Sequence, residues 1–175
     1  MIDKRVLYES LVDAYHADIF RYLRWMAKDV ELAEDLTQEA YTRAWKYLDK
    51  LADPTKAKSW LYQIARNELH RHMGRKQHPT IGLDDIDDPL DGGATPEMVA
   101  TQEALLDAME SLDLIYREPL LLQLLGGFDG NEIATILGVE RATVTMRVFR
   151  AKRKVQALCS SAVSRTPAAT RSVMS

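Results

Sequence analysis

The sequence predicts an all-α protein: two small helical domains joined by a flexible acidic linker. Three observations predict it. Apolar residues recur at spacings of three and four through most of the chain. Residues 77–96 interrupt that pattern with three prolines, three glycines, five aspartates and no lysine or arginine, a composition that cannot bury enough apolar surface to fold alone. Near the other end, Gly138 breaks one short helix just before a second that carries Arg141, Arg147, Arg150, Lys152, Arg153 and Lys154. The limits that follow are residues 1–78 for the first domain, 79–95 for the linker, 96–159 for the second domain and 160–175 for a mobile tail.

Residues 3–28 read as the first helix, with Val6, Leu7, Leu11, Ile19, Leu23 and Met26 in helical spacing. Asp29 can end it or cap the next. Residues 30–50 form the second helix. Its apolar stripe is Ala33, Leu36, Ala40, Ala44 and Leu48, and neither Gly nor Pro interrupts it. Asp35, Gln38, Glu39, Thr42 and Lys46 share another face, which reads either as a solvated surface or as a docking face for a partner helix. Residues 51–58 form a loop marked by Asp53-Pro54, and residues 57–76 the third helix. Here Lys56, Lys58, Arg66, Asn67, Arg71, Arg75 and Lys76 lie among Trp60 and Tyr62. Aromatics interleaved with bases can stack on unpaired nucleobases. Trp60 and Tyr62 read equally as core and rim residues of a bundle.

Beyond the linker, Thr95 and Pro96 form a helix start, cap then first position. That helix runs to about Ser111. Another follows over residues 114–125 and ends at Gly126-Gly127. Ile133, Ala134 and Leu137 then share one helical face, and after Gly138 the stripe Val144, Val148, Ala151, Val155 defines the last helix. Two short helices joined through a glycine turn, the second basic, are the sequence form of a helix-turn-helix. Its basic face suits phosphates and its first residues suit base edges. An amphipathic helix with a solvated basic face is the plainer reading.

Charge distribution supports local contact with nucleic acid. Net charge is -3, so the chain as a whole is no polycation. Residues 139–175 hold eight Lys or Arg and one acid, whereas residues 80–138 hold thirteen acids and one base. The single cysteine, Cys159, excludes an intramolecular disulfide and suits a reducing cytoplasm. No signal peptide is expected, nor any apolar run near the roughly 20 residues that span a bilayer. His70 and His72 point to different helix faces and do not pair as metal ligands. With no Gly-rich phosphate loop and no Ser/His/Asp spacing, neither enzyme chemistry nor a cofactor is expected.

Three segments together resemble the extracytoplasmic-function (ECF) group of bacterial RNA polymerase sigma factors. Ala33-Glu34-Asp35-Leu36-Thr37-Gln38-Glu39-Ala40, continuing to Arg43-Ala44-Trp45, resembles region 2.2, which docks on the coiled coil of the polymerase β′ subunit. Trp60-Leu61-Tyr62-Gln63-Ile64-Ala65-Arg66-Asn67 resembles the end of region 2.3 running into 2.4, which opens and reads the promoter −10 element. Glu132-Ile133-Ala134, Leu137-Gly138-Val139 and Thr143-Val144, with Arg147 and Arg150-Ala151, resemble region 4.2, which reads the −35 element. The likeness covers about residues 5–158, and the order and spacing of the three segments make it specific.

The resemblance implies a subunit that binds core polymerase, through the β′ coiled coil and the β flap, and directs promoter-specific initiation. Asp35, Gln38, Glu39, Thr42 and Lys46 would meet the polymerase. Lys56, Lys58, Trp60, Tyr62, Arg66, Asn67 and Arg71 would act on the −10 element. Glu140, Arg141, Thr143, Thr145, Met146, Arg147, Arg150 and Lys154 would act on the −35 element. It implies an anti-sigma factor as a further partner, and no membrane insertion. Asn67 matches a position that helps to hold a flipped base, a task suited to a side chain with both donors and an acceptor. Capturing extruded bases offsets the cost of opening the duplex. The linker would thread the polymerase channel that later holds RNA, its aspartates either mimicking RNA phosphates or serving as a solvated tether. The chain departs from the family at Ala52-Asp53-Pro54-Thr55-Lys56, at Glu140 and at Thr145-Met146, so promoter sequence does not carry over. A stand-alone helix-turn-helix regulator would explain residues 129–154 but not 33–67. A helical interaction protein would leave the basic helix unexplained.

Overall fold

The computed structural model describes residues 3–74 and 102–165. The linker and the helix start at Thr95-Pro96 lie outside them. The described residues are helical, with no strand among them. Helix α1 spans Lys4–Ala27, α2 Val30–Tyr47, α3 Ala57–His72, α4 Gln102–Ser111, α5 Leu114–Leu124, α6 Gly130–Leu137 and α7 Arg141–Arg165.

Local chemistry sets most of these ends. The Asp3 carboxylate accepts from the Arg5 backbone N–H at 2.8 Å and caps α1. Lys28 closes that helix in the left-handed region, φ 57°, with its N–H on the Arg24 carbonyl. Asp29 resolves as the cap of α2, accepting from the Leu32 N–H at 3.1 Å. Helix α2 ends at Tyr47, short of residue 50, because the chain tightens into a 3₁₀ turn over Leu48–Lys50. Pro54 opens a second 3₁₀ turn, Pro54–Lys56, which Asp53 caps through Thr55. Helix α3 stops at His72, not 76; the Met73 N–H returns to the Leu69 carbonyl, and Gly74 takes φ 72°.

Helices α1, α2 and α3 form one bundle. Ile19, Tyr22, Leu23, Leu36, Leu61 and Leu69 are fully buried at its centre, each burial stabilising by about 1.5–3 kcal/mol. Inside it the Glu68 carboxylate is buried and pairs with Arg43 from α2 and, at 2.7 Å, with Arg71. A buried carboxylate persists only with such partners.

Helices α4 to α7 form the second unit. Asp129 and Glu132 make a reciprocal capping box at the start of α6. Gly138 ends α6 at φ 66°, a conformation costly for any residue with a Cβ. Helix α7 packs on α4, α5 and α6. It continues through Arg165, so residues 160–165, expected as the start of a mobile tail, are helical; residues 166–175 lie outside the described residues. Cys159 is buried one turn beyond the stripe Val148, Ala151, Val155. One apolar core runs through both units, joining Ile19, Tyr22 and Tyr62 to Leu121, Leu122, Phe128 and Ile133.

Candidate polymerase and nucleic-acid interfaces

Helix α2 buries Ala33, Leu36, Thr37, Ala40 and Ala44, and so turns Asp35, Gln38, Glu39, Thr42 and Lys46 outward. All five are exposed and lie along one face. Trp45 borders them, 42% exposed although it is a large aromatic. It is held edge-on to Tyr8 at 5.1 Å, with the Lys4 ammonium 5.0 Å from its ring. Trp45 was not among the expected contacts, and its signal is a tryptophan on the otherwise polar stripe.

The residues expected to act on the −10 element divide into two sets. Lys56, Asn67 and Arg71 are exposed, with Arg71 held by Glu68. Lys58, Trp60 and Arg66 are half-buried and Tyr62 is fully buried. In this arrangement Tyr62 is thus a core residue, its ring 5.4 Å from Tyr22 and 5.0 Å from Phe128. Lys58 donates to the Gly126 carbonyl and lies 5.0 Å from the Phe128 ring. Gly126 must lack a Cβ here, since one would fall 2.5 Å from the Phe128 ring and 2.6 Å from the Leu122 carbonyl oxygen.

Arg66 reaches across to α5, where its Nε donates to Glu118 Oε1 at 2.7 Å. The Tyr22 hydroxyl donates to the same oxygen at 2.9 Å, and His70 Nε2 lies 3.8 Å away. Burial by itself would push the Glu118 carboxyl up, but His70 and Arg66 outweigh it and hold the group below its ordinary value. Burial, reinforced by the Glu118 charge, pushes the Tyr22 phenol well up, so it stays protonated and donates. This cluster was invisible in the sequence, because Tyr22 and Glu118 are 96 positions apart.

On α7, Val144, Val148 and Ala151 face the core, so Glu140, Arg141, Thr145, Met146, Arg150 and Lys154 are exposed. Thr143 and Arg147 are half-buried at the edge. The Thr145 hydroxyl donates to the Arg141 carbonyl at 3.1 Å. Phe149 lies on the same outward face, 58% exposed, with the Arg153 guanidinium 5.6 Å from its ring. It too was absent from the expected contacts; an aromatic out of phase with the apolar stripe is the signal. Among the described residues no cluster of ligands could hold a metal ion, and no helix is long and apolar enough to cross a membrane.

Comparison with known proteins agrees with this geometry. The Sigma-70 region 2 family matches residues 11–78, and the Sigma-70, region 4 family matches residues 102–155. The ECF RNA polymerase sigma factor SigM of Bacillus subtilis (strain 168) is 31% identical over 153 residues, covering 86% of this chain and 93% of that protein. The ECF RNA polymerase sigma factor SigL of Mycobacterium tuberculosis (strain ATCC 25618 / H37Rv) is 29% identical over 155 residues, covering 86% and 87% of the two chains. Two solved structures share the fold. The sigma factor RpoE, solved with the anti-sigma factor NepR from Bartonella quintana, gives a TM-score of 0.69 at 23% identity, covering 87% of this chain and 96% of that one. CnrH, solved with the cytosolic domain of CnrY, gives 0.64 at 22% identity, covering 88% of each. Both sigma regions are matched in order on the two helical units, and the chain spans nearly all of SigM; it belongs to the ECF group of sigma-70-family RNA polymerase sigma factors, which direct promoter-specific transcription initiation.

Proposed function

We propose that the two units divide the work on a promoter. The α2 face Asp35, Gln38, Glu39, Thr42 and Lys46 docks on the β′ coiled coil of core polymerase. Helix α3 and its preceding loop act on the −10 element through Lys56, Lys58, Trp60, Tyr62, Arg66, Asn67 and Arg71. Helix α7 grips the −35 duplex through Glu140, Arg141, Thr143, Thr145, Met146, Arg147, Arg150 and Lys154. The β flap would meet the second unit. The observation that carries this reading is the outward alignment of all five α2 residues on one helix that also carries an exposed tryptophan. Work on promoter DNA places the chain in the cytoplasm, as a regulatory subunit and not an enzyme. An anti-sigma factor is its expected controller, as RpoE and CnrH were each solved with a bound partner.

Asn67 tests the assignment of α3. It is exposed one position from Arg66 and offers both donors and an acceptor to an extruded base. Asn67→Ala should leave closed-complex formation near wild type and reduce open complexes by about tenfold, the equivalent of one lost base contact. Permanganate footprinting of the holoenzyme reads the melted thymines. A footprint equal to wild type would remove Asn67 from strand capture.

A further inference from the structure

Helix α3 carries one buried charge that packing does not explain. Glu68 is 2% exposed and is reached from α2 by Arg43. An apolar side chain of similar volume would hold α3 on α2 about as well, because desolvating charges offsets what their pairing gains. The carboxylate serves its partners instead.

Those partners are two arginines on one oxygen. Arg43 Nε, from α2, and Arg71 Nη2, from α3, both meet Glu68 Oε1, the second at 2.7 Å. Two guanidiniums are thus held side by side although like charges repel. Two positive charges and one negative leave one positive charge over. Each arginine has five N–H donors, and among the described residues neither guanidinium meets a second acceptor. Both side chains stay open to solvent, 38% exposed for Arg43 and 54% for Arg71. Adjacent guanidiniums with spare forks and one uncompensated charge fit a singly charged phosphodiester.

The pair also lies beside the residue assigned to base capture. Arg71 follows Asn67 by four positions, so the two share one face of α3 a turn apart, and both are exposed. Arg43 leaves α2 toward α3, not along the outward face of Asp35 and Thr42.

We propose that Arg43 and Arg71, joined by Glu68, clamp one phosphate of the melted strand beside the base that Asn67 captures. Glu68 is the positioning residue and touches no DNA. This rests on the assignment of α3 to the −10 element. Helix α2 then serves polymerase with one face and the promoter with its flank.

Neutral methylphosphonate linkages test the clamp directly. They are placed one at a time along each strand of the downstream block of a promoter recovered from a template library by run-off transcription. Holoenzyme assembled from the full chain and core polymerase is then titrated with each pre-melted template. For wild type, one linkage should weaken binding about tenfold, the size of a lost charge-assisted hydrogen bond. In Arg43→Gln and in Arg71→Gln the effect of that same linkage should largely disappear. Glu68→Met keeps the volume and raises the net charge, yet should weaken binding, because the arginines lose their anchor. Circular dichroism checks each chain before assembly. If Arg43→Gln unfolds, Arg43→Lys replaces it; lysine keeps a charge on Glu68 but not the planar fork, so the linkage effect should shrink. If Glu68→Met unfolds, the arginine variants decide alone.

Should the two arginine variants silence different linkages, each arginine holds its own phosphate and the shared clamp is overturned. Should Arg71→Gln silence a linkage and the Arg43 variant none, the clamp is overturned while α3 stays on the −10 strand. With no linkage silenced by either, the clamp is overturned, and an Asn67→Ala permanganate footprint equal to wild type would take the −10 assignment with it. Tighter binding by Glu68→Met would overturn the positioning role. A library that yields no promoter would remove both the −10 assignment and the clamp.

Discussion

Arg117→Met should lower the stability of the protein by about 3–5 kcal/mol, since charged hydrogen bonds are worth roughly 1.5–3 kcal/mol each and several are lost at once. Arg117 is 3% exposed, and no carboxylate takes its guanidinium as a hydrogen-bond partner among the described residues. It donates instead to backbone carbonyls: Met109 at 3.1 Å, Glu110 at 2.8 Å and Leu112 at 2.6 Å. These carbonyls lie at the C-terminal end of α4, where helix acceptors lack intrahelical donors; Met109 also accepts from the Leu112 N–H at 3.3 Å and Glu110 from Lys28 at 2.5 Å. One buried cation therefore ends α4, fixes its turn into α5, and contacts the Trp25 carbonyl of the first unit. Methionine keeps much of the volume but none of the donors. Urea unfolding followed by circular dichroism measures the loss. A change below about 1 kcal/mol, the size of a single ordinary hydrogen bond, would mean that the turn finds other donors.

Asp35→Arg should reduce affinity for core polymerase by about 30- to 100-fold, because like charges brought together at an interface cost several kcal/mol. Asp35 is exposed at the N-terminal end of the α2 face, two turns from Thr42, and no side-chain hydrogen bond or ion pair ties it to its own chain in the described residues. Its reversal should change folding stability by less than about 0.5 kcal/mol, as for other surface substitutions away from structural features. Titration of labelled chain with core polymerase gives the first quantity. Binding to duplex −35 DNA gives the control, which should remain within about twofold of wild type because additivity holds for distant sites. Equal loss in both measurements would contradict a division of labour between the units.

Much of this was legible in the sequence because it is local. Periodicity located the helices, Asp29 was one of two readings and proved the cap of α2, Asp53-Pro54 marked the turn before α3, and Gly138 marked the turn before α7. The polar face of α2 followed from helical spacing alone. Boundaries were less legible: α7 runs to Arg165, with Cys159 buried, although its serine- and alanine-rich end resembles a tail. That the second unit packs on Tyr62, Lys58 and Arg66 was not legible. It depends on Glu118 and Phe128, from a segment separated by the linker, and no spacing within α3 encodes that contact. Trp45 and Phe149 were missed although helical spacing sets each outside the apolar stripe of its helix, and the fold leaves both exposed.

Run-off transcription with core polymerase on a promoter library tests the central claim most directly. The account predicts transcripts that depend on this chain and arise from templates sharing two sequence blocks. The upstream block should be needed as duplex, for α7. The downstream block should overlap the segment that melts, for α3, and Asn67→Ala should weaken use of that block alone. No dependent transcript from any template would contradict the account.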